Sequence, residues 1–224
     1  LICGDVGFGK TEVALRGAFN VAMSGAQVAF IVPTTLLCSQ HYENFTKRFK
    51  NFPLKVDQIS RLNSTSENNK IIERINSGES DVVVGTHALL NSRIKFKKLG
   101  MLIIDEEQHF GVSQKEKIKS LRSNVHVLAL TATPIPRTLQ MSLVGLRDLS
   151  IISTAPLNRQ NINTEVIDFN DEKIISAIEY ELSRNGQVYY VCPRINELKE
   201  VEDFLKSKLP NVKYQIAHGQ MPSK

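Results

Sequence analysis

The sequence predicts an α/β fold in which a parallel β-sheet is flanked by helices. Short apolar runs alternate along the chain with longer amphipathic stretches, and this alternation is typical of parallel sheets. Strands that are buried on both faces are expected to be almost wholly apolar. The runs that fit this description are 28–32, 81–85, 101–104 and 125–130. The helices predicted between them cover 12–23, 36–49 and 68–77.

Composition excludes several classes of protein. Of 224 residues, 42% are hydrophobic and 23% are charged, which is ordinary globular usage and not that of a disordered, collagen-like or disulfide-rich chain. No apolar run approaches the roughly 18 residues that a membrane-spanning helix needs. Three cysteines without a C-x-x-C pair indicate reduced thiols, so we expect a cytoplasmic protein.

Two domains are predicted, 1–155 and 156–224. The stretch 154–163 lacks periodicity and contains Pro and Asn, as expected of a linker. A second α/β series follows, with strands predicted at 163–169, 187–192 and 212–217, and it is short for a complete α/β domain. We therefore expect one complete α/β domain followed by the N-terminal part of a second, truncated one. The first part carries the positive charge, with 19 Lys and Arg against 13 Asp and Glu.

A phosphate-binding loop is predicted near the start of the chain. It follows an apolar run, precedes a predicted helix and matches G-x-x-x-x-G-K-[ST] at every fixed position. Glycines let backbone N–H groups approach phosphate oxygens, the lysine reaches the β- and γ-phosphates, and the hydroxyl coordinates Mg²⁺. The predicted nucleotide-binding residues are Gly4, Asp5, Val6, Gly7, Phe8, Gly9, Lys10 and Thr11.

Acidic residues follow the buried strand 101–104. In a parallel sheet, ligands bind at the carboxyl ends of the strands. Asp105 is therefore predicted to help hold Mg²⁺ together with Thr11, and Glu106 to orient or deprotonate an attacking water. Lys10, Asp105 and Glu106 are the predicted catalytic residues.

Threonines stand at the ends of other predicted strands. Thr34, Thr35 and Thr86 are candidates for contact with a nucleic-acid backbone, and the alternative role for each is to cap a helix. Thr131 and Thr133 could link the nucleotide site to a neighbouring domain, or could form a turn closed by Pro134. The five histidines show no metal-ligand spacing, so no metal site made of protein nitrogen or sulfur is assigned.

The order of these motifs resembles the first motor domain of superfamily 2 helicases. Residues 4–14 (GDVGFGKTEVA), 104–112 (IDEEQHFGV), 130–139 (LTATPIPRTL) and 145–152 (GLRDLSII) are most similar to the bacterial transcription-repair coupling factors, the Mfd family. The RecG fork-remodelling helicases resemble the chain less over the last of these runs. The resemblance implies a RecA-like sheet flanked by helices.

The resemblance also implies a function. That family translocates on double-stranded DNA with ATP and Mg²⁺, displaces stalled RNA polymerase and promotes nucleotide-excision repair. Contacts with polymerase and repair proteins would be made through domains that this sequence does not include. By resemblance, Gln108 would bind the nucleotide and, with Thr131 and Thr133, couple it to the second motor domain. Arg137 joins the candidates for DNA contact or coupling. Alternatives are a RecG-like fork-remodelling helicase or, for this chain alone, a nucleotide-binding fragment without turnover.

Overall fold

The computed structural model describes residues 1–111, 113–114, 117–118, 125–132, 148–157 and 162–221. The chain divides into two compact units, Leu1–Gln160 and Asn161–Lys224. Whether these units correspond to the two predicted motor domains stays a prediction. The first unit carries the motifs of the predicted nucleotide site.

The first unit is built on a parallel β-sheet. Among the described residues, seven strands pair in the order β3-β4-β2-β5-β6-β1-β7, and every pairing is parallel. The predicted α/β class is thereby confirmed for this unit. The strands are β1 (Ile2–Gly4), β2 (Gln27–Ile31), β3 (Val56–Ile59), β4 (Val82–Gly85), β5 (Leu99–Asp105), β6 (His126–Thr131) and β7 (Ser150–Ile152).

Between strands β1 and β4, where every residue is described, three helices connect the strands, and each begins near a residue type that favours a helix start. They are α1 (Lys10–Met23), α2 (Thr35–Phe49) and α3 (Thr65–Ser77), and two 3-10 helices cover His87–Leu90 and Glu107–His109. The predicted start of α3 is three residues late, because Ser64 and Glu67 form a capping box one turn earlier. Gly78 ends α3 in the left-handed conformation. In the described parts of the chain, no helix combines the length and apolarity needed to cross a membrane.

The hydrophobic core lies on both faces of the sheet. Side chains alternate along each strand, so Phe30 packs on one face while its neighbour Ile31 packs on the other. On the first face Phe30 meets Phe45 of α2 edge-to-face, with ring centroids 5.4 Å apart. On the second face Ile31 joins a cluster that includes Ile75 of α3. Burial on both faces explains why the central strands read as continuous apolar runs.

The apolar-run criterion misses both edge strands, β3 and β7, and β3 shows why. Its sequence is Val-Asp-Gln-Ile, with two polar residues in the middle. Asp57 is nonetheless buried, because Arg74 of α3 pairs with its carboxylate and the Ser80 hydroxyl donates to it at 2.6 Å. The hydrogen bond from Arg74 to Asp57 also raises the pKa of the guanidinium. Paired partners therefore make a charged residue tolerable inside a strand.

The second unit differs from its prediction. Between residues 162 and 221 the structure has two helices, α4 (Asp171–Ser183) and α5 (Glu197–Lys208), and no strand. The strands expected at 163–169, 187–192 and 212–217 are wrong for this structure, because none of these segments pairs with a neighbouring segment. Their apolar side chains stay exposed, including Val166 at 97% and Tyr189 at 90%. Apolar sequence favours a strand, but a strand needs ladder hydrogen bonds as well.

Two glycines give a test of the packing in the first unit. A Cβ at Gly85 would lie 2.5 Å from Leu89 Cγ, so Gly85→Ala should lower the free energy of unfolding by about 1–3 kcal/mol. A Cβ at Gly17 would meet only the flexible end of Met101 at 3.2 Å, and Gly17 lies inside α1. Gly17→Ala should therefore be neutral or stabilising. Urea unfolding measures both, and equal stability of the two variants would contradict this packing.

Candidate nucleotide site

The predicted nucleotide-site residues lie at the carboxyl ends of the parallel strands, where three neighbouring strands end together. Strand β6 lies between β1 and β5. Leu130 of β6 is level with Ile2 of β1 on one side and with Asp105 of β5 on the other. Neighbouring strands are about 4.8 Å apart, so the ends of β1 and β5 are separated by roughly 10 Å. The loop after β1 therefore faces the carboxylates after β5 across the end of β6.

The loop between β1 and α1 has the backbone that phosphate binding requires. Gly7 and Gly9 adopt φ angles of 80° and 90°, in the left-handed region that favours glycine. Gly9 is also the N-cap of α1, so Lys10 is the first helical residue and Thr11 the second. The positive end of the α1 dipole is thus directed at the loop. Gly7 and Gly9 are exposed, which leaves this backbone accessible to an anion.

Lys10 already lies over this loop. Its Nζ donates to the carbonyl oxygen of Gly4 at 2.7 Å and to that of Asp5 at 3.1 Å. An ammonium group has three donors and no acceptor, and backbone carbonyls offset only part of its charge. A phosphate oxygen placed above the loop would supply the missing negative charge. The lysine side chain therefore lies over the loop, and its contact with phosphate stays a prediction.

Asp105 ends strand β5 with a buried side chain. Its carboxylate oxygen Oδ2 lies 3.3 Å from Nε2 of His41, a buried residue of α2. The His41 ring in turn stacks on Phe30, with centroids 4.6 Å apart. The carboxylate that is predicted to bind the metal is thus held by the imidazole of His41, a contact that the sequence did not indicate.

Glu106 adopts an unusual backbone conformation. Its φ and ψ angles are 50° and 53°, left-handed values that cost a non-glycine residue about 1–2 kcal/mol. The peptide N–H of Glu106 donates to the carbonyl of Leu130 at 3.0 Å. Its Oε1 accepts from the N–H of Ala132 at 3.3 Å, and the Gln108 amide donates to Oε2. The neighbouring strand thereby holds the predicted catalytic carboxylate.

Gln108 connects Glu106 with the end of β6. Besides contacting Glu106, its side chain lies 3.5 Å from the Thr131 hydroxyl. The sequence predicted a coupling role for both Gln108 and Thr131, and the structure brings them together. The predicted residues Thr133 and Arg137 lie outside the described residues.

The strand-end threonines have structural hydrogen bonds of their own. Thr34 caps α2 by accepting from the N–H of Leu37 at 3.2 Å, and it remains exposed. Thr35 is the first residue of α2. Thr86 is buried and accepts from the N–H of Ala88 at 3.5 Å, so its hydroxyl is directed into the protein. The helix-capping alternative therefore holds for Thr34 and Thr86, and their contact with DNA stays a prediction.

Sequence reasoning missed His41 and the Ala132 backbone N–H. His41 follows Cys38 by three residues, so the two lie on the same face of α2, and both are buried. This spacing was the one feature of the sequence that pointed to His41. That signal indicates a buried histidine but not its partner. Its contact with Asp105 depends on β2 and β5 being neighbours in the sheet, which chain order does not reveal.

Comparison with known proteins identifies the class. The DEAD/DEAH box helicase family matches residues 1–142, which include the phosphate loop, Asp105 and Glu106. The chain therefore belongs to the DEAD/DEAH box helicases. Members of this family bind nucleotide, and the loop, its lysine and the opposed carboxylates fit that property.

More particular similarity is to transcription-repair-coupling factors. Over 100% of its length, this chain is 55% identical to the transcription-repair-coupling factor of Rickettsia prowazekii. Over 99% of its length, it is 49% identical to the transcription-repair-coupling factor of Bacillus subtilis. It spans about a fifth of the length of these relatives, 20% and 19% respectively.

A solved structure of RecG bound to a three-way DNA junction is also similar. It matches with a TM-score of 0.72 and 33% identity, over 92% of this chain and 28% of that one. Together with the parallel sheet, this likeness confirms the predicted RecA-like fold. That the second unit is a truncated RecA-like domain stays a prediction.

The backbone at Glu106 gives a test of the site geometry. Glu106→Gly and Glu106→Ala both remove the carboxylate, but only glycine tolerates the left-handed backbone without strain. We expect Glu106→Gly to have the higher free energy of unfolding, by about 1 kcal/mol. At Glu43, on the exposed face of α2, the order should reverse, because alanine stabilises a helix interior relative to glycine. The same order at both positions in denaturant unfolding would contradict the left-handed conformation.

Proposed function

We propose that the chain is the ATP-dependent motor of a transcription-repair coupling factor that translocates on double-stranded DNA. The observation that carries this proposal is the arrangement of Lys10, Asp105 and Glu106 around the end of strand β6, in a chain 55% identical to such a factor. In the whole protein, this motor would displace stalled RNA polymerase and promote nucleotide-excision repair.

The loop residues Gly4–Thr11 would hold the ATP phosphates through backbone N–H groups and Lys10. Among the described residues, no group of three or more His, Cys, Asp and Glu side chains could hold a metal ion by itself. Mg²⁺ would therefore be held jointly by the phosphates, the Thr11 hydroxyl and Asp105, and it would neutralise charge that develops on the phosphates. The buried carboxylate of Asp105 and the hydroxyl of Thr11 are oxygen donors, which Mg²⁺ prefers.

Glu106 would orient the attacking water and accept its proton. Its hydrogen bonds to Ala132 and Gln108 hold the carboxylate against the end of β6. Rearrangement of those contacts when nucleotide binds would transmit the state of the site to the residues that follow Thr131. An arginine contributed by a second motor domain can add about 10³–10⁵ in rate in phosphate-loop enzymes. Fast hydrolysis at the site of the first unit should therefore depend on such an arginine.

DNA would lie along the same side of the first unit, and the basic excess of residues 1–155 as a whole favours binding of a polyanion. The N-terminus of α2 presents the exposed residues Thr34 and Leu36 there. Because the parallel strands end together, this helix start lies at the nucleotide edge of the sheet.

Fork remodelling of the RecG kind is the second candidate, and the similarity to RecG bound to a DNA junction favours it. The 33% identity to RecG is lower than the 55% identity to a coupling factor, so the coupling function ranks first. The full-length protein should release RNA polymerase stalled on DNA when ATP is supplied. Regression of a synthetic fork without release of polymerase would favour the RecG-like function instead.

Two substitutions test the nucleotide site. Lys10→Ala removes the cation above the loop, so binding of Mg²⁺–ATP should be lost. Glu106→Gln keeps the shape of the side chain but removes the base, so ATP should bind and remain unhydrolysed. Nucleotide binding and single-turnover hydrolysis measure the two effects. Lys50→Ala, an exposed lysine at the end of α2, is the control. Normal turnover in either site variant would contradict these roles.

A pair of helix caps tests the DNA surface. Thr34→Ala and Ser64→Ala each remove an exposed N-cap hydroxyl, and each should lower the free energy of unfolding by about 1 kcal/mol. Only Thr34→Ala should also weaken binding to double-stranded DNA, by about threefold to tenfold for the loss of one hydrogen bond. DNA titration at fixed salt separates the two effects. Equal DNA affinity of the two variants would remove Thr34 from the interface.

A further inference from the structure

We propose that His41 is a positioning residue that orients the Asp105 carboxylate toward the Mg²⁺ of the nucleotide. This inference rests on the proposed nucleotide site and adds to it a residue outside the loop and the acidic motif. It concerns how the metal-binding carboxylate is held before nucleotide arrives.

The contact between the two side chains is direct and shielded from water. His41 Nε2 and Asp105 Oδ2 are 3.3 Å apart, and the side chains are only 7% and 12% exposed. An ionised carboxylate only accepts hydrogen bonds, so Nε2 carries the hydrogen and donates it. A donor fixed on one oxygen restricts rotation of the carboxylate about its Cβ–Cγ bond. The carboxylate thus keeps one orientation at the carboxyl end of β5.

The imidazole is itself held in place by the core. Its ring lies against Phe30 of β2 with centroids 4.6 Å apart and an interplanar angle of 35°. Phe30 is fully buried and packs in turn on Phe45 of α2. The hydrogen-bond donor is therefore attached to the rigid part of the first unit, and not to the loop that would close on phosphate.

The other nitrogen of the ring shows that packing alone does not explain His41. Nδ1 is buried, and no described residue provides it with a hydrogen-bond partner. A buried polar atom without a partner is unfavourable, so an apolar side chain of similar volume would fill this space at lower free energy. The hydrogen bond to Asp105 is what an apolar side chain could not supply. Partners of metal-binding residues commonly contribute about 10-fold to 100-fold to metal affinity or activity.

Three substitutions separate positioning from packing. His41→Gln places an amide N–H near the position of Nε2, whereas the shorter His41→Asn reaches only the position of Nδ1. His41→Leu fills the space without a donor. In the full-length protein, a fluorescent ATP analogue would be titrated with Mg²⁺ and, separately, in excess EDTA.

We expect His41→Asn and His41→Leu to raise the Mg²⁺ concentration needed for half-maximal binding by about tenfold. Nucleotide affinity in EDTA should stay unchanged, and His41→Gln should restore most of the Mg²⁺ response. A normal Mg²⁺ response in His41→Asn would overturn the proposal, and so would equal impairment of the Asn and Gln variants. If His41→Leu fails to fold, the Asn and Gln pair still decides. Loss of Mg²⁺ dependence in the unmodified protein would instead contradict the proposed nucleotide site.

Discussion

The alignment of the carboxyl ends of β1, β6 and β5 is the constraint on which the rest of the site depends. Parallel pairing puts Ile2, Leu130 and Asp105 level with one another. The chain reaches these three positions through connections of more than 20 residues each, so only the sheet brings them together. Once they are aligned, the glycine-rich loop after β1 lies on one side of the end of β6 and the Asp105 carboxylate lies on the other. The cores on both faces of the sheet maintain this alignment.

Two parts of the site show how the fold prepares charged groups for an anion and a metal ion. Lys10 is held over the loop by two backbone carbonyls, and the buried Asp105 carboxylate is held by a buried histidine. Glu106 differs because it is held by the neighbouring strand in a strained backbone conformation. Strain of this kind persists only where surrounding contacts enforce it, and it is common at sites where a group must change partners. In the proposed site, the first two groups would thus be prepared to bind, and the third would lie where a change in binding could be transmitted to β6.

Sequence predicted the parts of this arrangement that depend on local pattern. Continuous apolar runs predicted the central strands, and the spacing of glycines, lysine and threonine predicted a glycine-rich loop between β1 and α1. The edge strand β3 escaped because Asp57 and Gln58 interrupt its apolar character, and only the tertiary partner Arg74 makes Asp57 acceptable there. The contact of His41 with Asp105 escaped because it depends on strand order. In the second unit, apolar runs indicated strands that do not pair, since pairing is decided by neighbours and not by composition.

The most direct measurement is a crystal structure of the protein with Mg²⁺ and a non-hydrolysable ATP analogue. The predicted result is that Lys10 Nζ leaves the carbonyls of Gly4 and Asp5 for the β- and γ-phosphates. Mg²⁺ should lie between those phosphates, the Thr11 hydroxyl and the Asp105 carboxylate, directly or through water. Nucleotide bound away from the loop, or bound there with Lys10 still on the two carbonyls and Mg²⁺ distant from Asp105, would contradict the assignment of this edge as an ATP site.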